Sequence, residues 1–269
     1  MDRSVTNFNV RLRTIRIRDL VVGLIIAVIL TGILMAIFPE IYDSDDLFFI
    51  IFISVCLLLF AWALKGTRGL NNDFSNIFKD EYKKEIIYVF IINILFAFLF
   101  LLLISLLDFL FGIADPTWVS MWDIDSVSVD SGVLILDAIA SIIFAPIFEE
   151  LVFRGILFNR LKIRIGIIPA MLLSSFLFGI GHDFGGMTSA FLFGICMCIL
   201  YLKTDNILVP MSVHFINNVV AVILEFSNFD MFIGQFPMAI PSLIISLIGT
   251  VYLIKYIVKE TKKLKKSND

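Results

Sequence analysis

Ile86 to Leu107 read IIYVFIINILFAFLFLLLISLL, 22 positions with no charge and no polar face. At about 1.5 Å per residue, a helix of this length can cross the roughly 30 Å hydrocarbon core of a bilayer. A surface helix of a soluble protein would show an apolar stripe and a polar one instead. The rest of the chain is of the same kind: 59% of its 269 residues are hydrophobic, 28 are phenylalanine, and the mean hydropathy is +0.98. The expected fold is all-α, a polytopic membrane helical bundle with lipid as its solvent.

Windows of about 20 residues delimit eight expected crossings. They are Leu20 to Phe38, Leu47 to Leu64, Ile86 to Ile113, Val133 to Phe158, Ile167 to His182, Met187 to Leu202, Ile207 to Leu224 and Met238 to Ile257. The charges test that count. Arg3, Arg11, Arg13, Arg16 and Arg18 precede the first crossing, and Lys65, Arg68, Lys79, Lys83 and Lys84 occupy the second connection. Arg160, Lys162 and Arg164 fall in the fourth, Lys203 in the sixth, and Lys255, Lys259, Lys262, Lys263, Lys265 and Lys266 at the end; with Arg154 these are all 21 basic residues. The other connections carry acid and no base: Glu40, Asp43, Asp45 and Asp46, then Asp115, Asp123, Asp125 and Asp130, then Asp183, then Glu225 and Asp230. A miscounted span would scramble this alternation, so the positive-inside rule places both termini in the cytoplasm.

The expected organisation is a cytoplasmic basic segment over 1–19, a transmembrane bundle over 20–257 with its chemistry-bearing core at about 142–220, and a cytoplasmic basic tail over 258–269. The protein is expected in the cell membrane, as a multi-pass chain. Its first apolar stretch ends in Ile37, Phe38, Pro39 and Glu40 without a small-residue cleavage site, which reads as a retained helix rather than a signal peptide. The arginines before it could lie on anionic lipid, each contributing about 1 kcal/mol near such a surface. Trp118 and Trp122, close to Pro116, are of the kind that sits at the membrane interface. Cys56, Cys196 and Cys198 are odd in number and lack CxxC spacing, so buried packing is expected rather than a disulfide framework. Neither Lys65 to Glu85 nor Ala114 to Gly132 is large enough to be a catalytic domain, so any chemistry belongs within the helices.

One segment asks for such chemistry. Glu149 and Glu150 stand side by side in the apolar run Ile142 to Phe158, followed by Leu151, Val152, Phe153 and Arg154. An ionised carboxylate at the bilayer centre costs at least a few kcal/mol. On a helix Glu150 and Arg154 share a face, while Glu149 is turned about 100° away. Glu150 can therefore pair with the guanidinium and leave Glu149 to exchange a proton. A salt bridge near the cytoplasmic helix end, with Arg154 snorkelling to the interface, is the alternative that these residues alone leave open.

The chain has two histidines, His182 and His214, each sharing a helical face with a residue four away: Phe178 before His182 and Asn218 after His214. One hydrophilic cavity would account for both imidazoles, the diacid and the asparagine together. Pro146 and Pro210 lie within four residues of this set and free the carbonyls of Ile142 and Asn206, reading as kinks that help open a cavity.

Glu149-Glu150-Leu-Val-Phe-Arg154, Phe178-Gly-Ile-Gly-His182 and His214-Phe-Ile-Asn-Asn218 read, in order, EExxxR, FxxxH and HxxxN. In these motifs the chain resembles the CAAX protease and bacteriocin-processing family of intramembrane proteases, also called CPBP or Abi, which includes the Ras-converting endoprotease. The resemblance runs from about Ile142 to Val220; the first three spans match only as generic hydrophobic helices. It implies an intramembrane endopeptidase in which Glu149 and His182 activate a water, His214 and Asn218 stabilise the oxyanion, and Glu150, Arg154 and Phe178 support the site. It also implies membrane-associated protein or peptide substrates, either prenylated CAAX-type or peptide precursors. The lipid bilayer is the other expected partner, and nucleic acid is not one.

Two histidines and a carboxylate are also a common catalytic zinc set. No HExxH helix is present, and the resemblance favours a glutamate-activated water, so no metal or cofactor is expected, with zinc as the alternative. A non-proteolytic membrane scaffold or regulator is the alternative function, and a transporter is a third, lowered by the lack of an internal repeat. Counting along straight helices leaves Glu149 nearer the cytoplasmic side and His182 nearer the outer end of its helix. The expected resolution is that the fourth helix starts late, near Ala140, with Val133 to Ile139 along the outer interface. A tilted or deeper fifth helix is the other option.

Overall fold

In the computed structural model, residues 1–115, 117, 131–182 and 186–266 are described, and they are helical almost throughout. Among them there is no strand beyond a single parallel bridge between Asn7 and Arg68. A short α1 (Phe8–Thr14) precedes α2 (Ile17–Ile37) and α3 (Asp45–Ala63). The start of α3 is fixed by Ser44, whose hydroxyl accepts from Leu47 N at 3.2 Å, and by Asp45 and Asp46 in its first turn. Free N–H groups and the positive helix end favour such residues there.

After α4 (Leu70–Ser75), α5 (Asp80–Ala97) and α6 (Leu99–Ala114) follow one another with a break only at Phe98. The next described run, 131–165, is a single helix of changing pitch: α7 (Ser131–Ile139), a wide π-helical turn (Ala140–Phe144), α8 (Ala145–Glu149), a longer π-helical stretch (Glu150–Phe158) and α9 (Asn159–Ile165). Gly166, at φ 84°, reverses the chain into α10 (Ile167–Gly179), a conformation that a side chain would strain. α11 (Met187–Thr204), α12 (Leu208–Phe226), a short α13 (Phe229–Gly234) and α14 (Ala239–Lys266) complete the bundle.

Six helical runs among the described residues are long and apolar enough to cross a membrane: α2, α3, Glu81–Ala114, α11, α12 and α14. This is a multi-pass membrane protein. α2 and α3 turn most of their apolar surface outward, with Val28, Ile29 and Leu58 at 56–70% exposure, as lipid contact requires. α11 is the central element: 56% of its span is buried against 11% for α2. It packs closely on α10 because both supply small residues. A Cβ on Gly194 would come within 2.9 Å of Ser175 Cβ, and one on Gly179 within 2.9 Å of Met187 O.

The basic connections meet at one end of the bundle. Phe8 N donates to Arg68 O at 3.0 Å and Asn206 Nδ2 to Asp73 O at 2.7 Å; Arg13 pairs with Asp205. Lys203 bridges Glu85 at 2.6 Å and Glu260 at 2.7 Å, which joins α5, α11 and α14. The N-terminal segment is part of this assembly rather than an arm spread on lipid. Arg11 is buried and donates to the carbonyls of Val5, Lys65 and Arg3 at 2.6, 2.7 and 2.9 Å. Leu12 is fully buried against Gly155, where a Cβ would meet its Cδ2 at 2.6 Å. The three cysteines are free and buried, as expected.

Three expectations are corrected. The fourth helix does not begin near Ala140: Ser131–Ile139 is helical and runs into it without interruption. The fifth is the short element instead, with 13 residues or about 20 Å, too few for the core of a bilayer. Pro210 does not kink a span, because it lies in the first turn of α12, where its missing N–H has no intrahelical partner to lose. Trp118, Trp122, Asp123, Asp125, Asp130 and Asp183 lie outside the described residues.

The N-terminal seat predicts that Leu12→Ala lowers stability by about 2–5 kcal/mol, as for other large-to-small changes in a packed interior; thermal unfolding in detergent measures it, and a segment merely resting on lipid would show no change. The positive-inside rule expects the basic end in the cytoplasm; on that expectation a cysteine placed at Lys266 reacts with impermeant maleimide only after the membrane is opened, and labelling of intact cells would reverse the orientation.

Candidate active site

Each polar side chain of the site is placed by a local peculiarity of its helix. Pro146 cannot donate into the preceding turn, and the chain there widens to π geometry over Ala140–Phe144. The carbonyl of Ser141, in that widened turn, accepts from Asn218 Nδ2 at 2.7 Å. Asn218 is thereby held by the motif helix, and no partner for its second N–H is found among the described residues. Further along, the π-helical stretch loosens the carbonyls of Phe153, Arg154 and Gly155. Ser174 Oγ donates to the first at 3.0 Å, and Asn159 Nδ2 to the other two at 2.8 and 3.0 Å.

Glu150 and Arg154 are both completely enclosed and pair at 2.8 Å between Nη1 and Oε1. The snorkelling alternative for Arg154 is therefore excluded. Its guanidinium lies 4.3 Å over the ring of Phe178, which offers a cation–π contact to nitrogens Nε and Nη2, for which no hydrogen-bond partner is found among the described residues. Phe178 is 2% exposed and packs edge-on against Phe153 at 5.4 Å and against His214 at 5.8 Å, and in a tilted contact with His182 at 4.7 Å.

His214 stands between the two glutamates. Its Nδ1 is 3.0 Å from Glu150 Oε1, and its Nε2 is 3.7 Å from Glu149 Oε2, an ion-pair distance too long for a hydrogen bond. Glu149 keeps 20% of its side chain exposed while Glu150 keeps none, so the two neighbours are split into an open and a sealed carboxylate. His182 follows the end of α10, with its Nδ1 3.0 Å from the carbonyl of Phe178. A carbonyl can only accept, so Nδ1 carries the proton and Nε2 of the neutral ring is left as an acceptor.

The depth conflict between Glu149 and His182 disappears at Gly166. Glu149 stands 17 residues before that turn and His182 stands 16 after it, so the two arms of the hairpin bring them to one height.

A cavity of about 130 Å³ opens beside the cluster, walled by His182, His214, Asn218, Phe178 and Phe193 together with Asn93 and Asn217. Glu149 adjoins this wall through His214. All seven residues expected at the site are thus gathered around Phe178 and His214. The sequence reading missed Asn93, although a lone carboxamide in the apolar run Ile86 to Leu107 was a usable signal. It also missed Asn159 and Tyr201, which buttress the motif helix from behind: Tyr201 OH accepts from Asn159 Nδ2 at 3.1 Å and from Arg13 Nε at 2.9 Å.

Among the described residues no three histidine, cysteine, aspartate or glutamate side chains converge as ligands, and His214 directs one nitrogen at Glu150, which is itself bound to Arg154.

Residues 131–220 match the family described as type II CAAX prenyl endopeptidase Rce1-like. The chain is also 36% identical over 88 residues to the Bacillus subtilis (strain 168) protein named "Putative membrane peptidase YdiL". That match covers 32% of this chain and 36% of the relative's length. No solved structure matches the chain. Over this segment, then, the chain is similar to that family and to that relative, and the segment contains all three motifs.

Removing one member of the buried pair leaves the other charge without compensation, so Arg154→Met is expected to cost about 3–5 kcal/mol of stability. The doubly neutral Glu150→Gln/Arg154→Met should recover most of that loss, which thermal unfolding of the three variants beside the parent will measure.

Proposed function

We propose that the protein is an intramembrane endopeptidase of the cell membrane that hydrolyses peptide bonds of membrane-associated substrates, prenylated CAAX-type or peptide precursors, without a metal. The observation that carries this reading is His214 held between a sealed and an open glutamate, on the wall of a cavity that also presents the acceptor nitrogen of His182.

In the proposed reaction a water in the cavity is polarised by Glu149 and His182 Nε2. Its oxygen bonds to the peptide carbonyl carbon as its proton passes to Glu149. The carbonyl oxygen becomes an oxyanion facing His214 and the second N–H of Asn218. Donation from His214 needs a proton on Nε2 as well as Nδ1. In that form Glu149, Glu150, Arg154 and His214 carry two negative and two positive charges, and the cluster is neutral. Collapse of the tetrahedral adduct breaks the C–N bond, and the proton on Glu149 moves to the departing amine. Glu150, Arg154 and Phe178 touch no reacting atom in this scheme; they fix the ring plane and charge of His214.

Cleavage of a peptide library by the protein in proteoliposomes tests the proposal. Glu149→Ala and His182→Ala are expected to lower kcat by roughly 10²–10⁴-fold, and His214→Ala by about 10²–10³-fold. Cleavage that survives the first two substitutions would remove the site assignment. A chelator should leave the rate unchanged; loss restored by added zinc would replace the glutamate-only mechanism.

A further inference from the structure

At the basic end of the bundle, Arg3, Arg16 and Arg160 converge with Asp2 and Thr14 around a polar basin of about 610 Å³. Next to it α2 and α3 part into an apolar groove of about 280 Å³, walled by Leu20, Gly23, Leu59, Phe60 and Ala63 and backed by Ile156 of the motif helix. The two hollows share Met1, and Ile15 and Asp19 of the groove neighbour Thr14 and Arg16 of the basin in sequence. Gly23 borders the open space of the groove: a Cβ there would meet nothing within 4 Å. Trp62, 64% exposed, stands at its rim with the guanidinium of Arg3 4.8 Å over the ring.

The charges of this corner do not cancel. Asp19 is occupied by Arg16, at 3.1 and 3.2 Å, which leaves Asp2 to oppose Arg3 and Arg160 in the basin, with exposed Arg18 close by. A positive basin joined to a lipid-facing apolar slot has one fitting occupant in a bilayer: a molecule with an anionic phosphodiester at one end and a hydrocarbon chain at the other. We propose that this corner is a binding site for a single anionic phospholipid, its phosphate between Arg3 and Arg160 and one acyl chain in the groove between α2 and α3. Guanidinium groups bind phosphate with paired, charge-assisted hydrogen bonds, whereas a zwitterionic headgroup would bring a second cation into the basin. A free anion would fill the basin alone and leave the groove unused. The chain in the groove would rest on Ile156, one residue from the Leu12–Gly155 contact, so the lipid would brace the N-terminal seat of the motif helix.

Native mass spectrometry of the full chain in detergent, with phosphatidylglycerol or phosphatidylcholine added, tests the site. One phosphatidylglycerol is expected to be retained about tenfold better than phosphatidylcholine. Gly23→Phe, which fills the groove, and Arg3→Gln/Arg160→Gln, which discharges the basin, should each erase that preference. Gly32→Phe, at another open position on α2, should leave it intact, and melting curves establish that each variant is folded. Equal retention of the two lipids, or retention indifferent to Gly23→Phe in the folded protein, overturns the proposal. Inorganic phosphate raising the melting temperature as far as phosphatidylglycerol does would reduce the site to a free-anion basin. Lost peptide cleavage in Gly23→Phe with lipid retention unchanged would give the groove to the substrate instead.

Discussion

The carboxylate of Glu150, sealed from water and lipid, has to find its partners inside the protein, and it finds a counter-charge in Arg154 on its own helix and a hydrogen-bond partner in His214 on α12. Much of the molecule's design follows from that need. An uncompensated charge at this depth would cost several kcal/mol, so the motif helix and α12 are bound to one relative position. The guanidinium, too large to be enclosed by its partner alone, requires the face of Phe178 and the missing side chain of Gly194, where a Cβ would come 3.1 Å from Nη2. α10 and α11 are thereby drawn against the same point. Glu149 is the member left with solvent exposure, and the contrast between the two carboxylates comes from a rotation of one residue along the helix.

The parts legible in the sequence were those governed by composition and spacing. Apolar runs gave the membrane helices, and the i to i+4 relation of Glu150 and Arg154 foretold the buried pair that the structure shows at 2.8 Å. What counting along straight rods cannot capture is pitch and length. The π-helical turns change which carbonyls are free, and nothing in the residue pattern says that Ser141 O will be taken by Asn218. The 13-residue α10 looked like part of a longer span because Ile180 and Gly181 extend its apolar composition, although the helix ends at Gly179. Asn159 and Tyr201 were invisible for another reason. Their partners are main-chain carbonyls and a distant arginine, 188 residues away in the case of Arg13, and such pairings depend on the tertiary fold.

The basic end shows how charge can serve two purposes in one segment. Arg11 and Arg13 face inward and are satisfied by carbonyls, Tyr201 and Asp205, so they act as fasteners among loops. Arg3, Arg16 and Arg18 remain on the outside of the same 18 residues. The burial of Arg11 among backbone oxygens is possible because guanidinium donates in several directions at once, which a lysine at that position could not reproduce. The fastening reaches the site through α9: Arg160 donates to Ile15 O at 2.7 Å, one residue from Asn159.

The turn at Gly166 sets a rule of length for any sequence built on this plan. Its two arms, 17 and 16 residues long, act as a pair of matched rulers. Insertion of one residue in either arm would lift one reactive group by about 1.5 Å and swing it through about 100°, away from its counterpart. Variation in chain length can therefore accumulate in the connections at either end of the bundle, but between Glu149 and His182 it has to come in compensated steps, and this stretch should be the most length-invariant part of the protein.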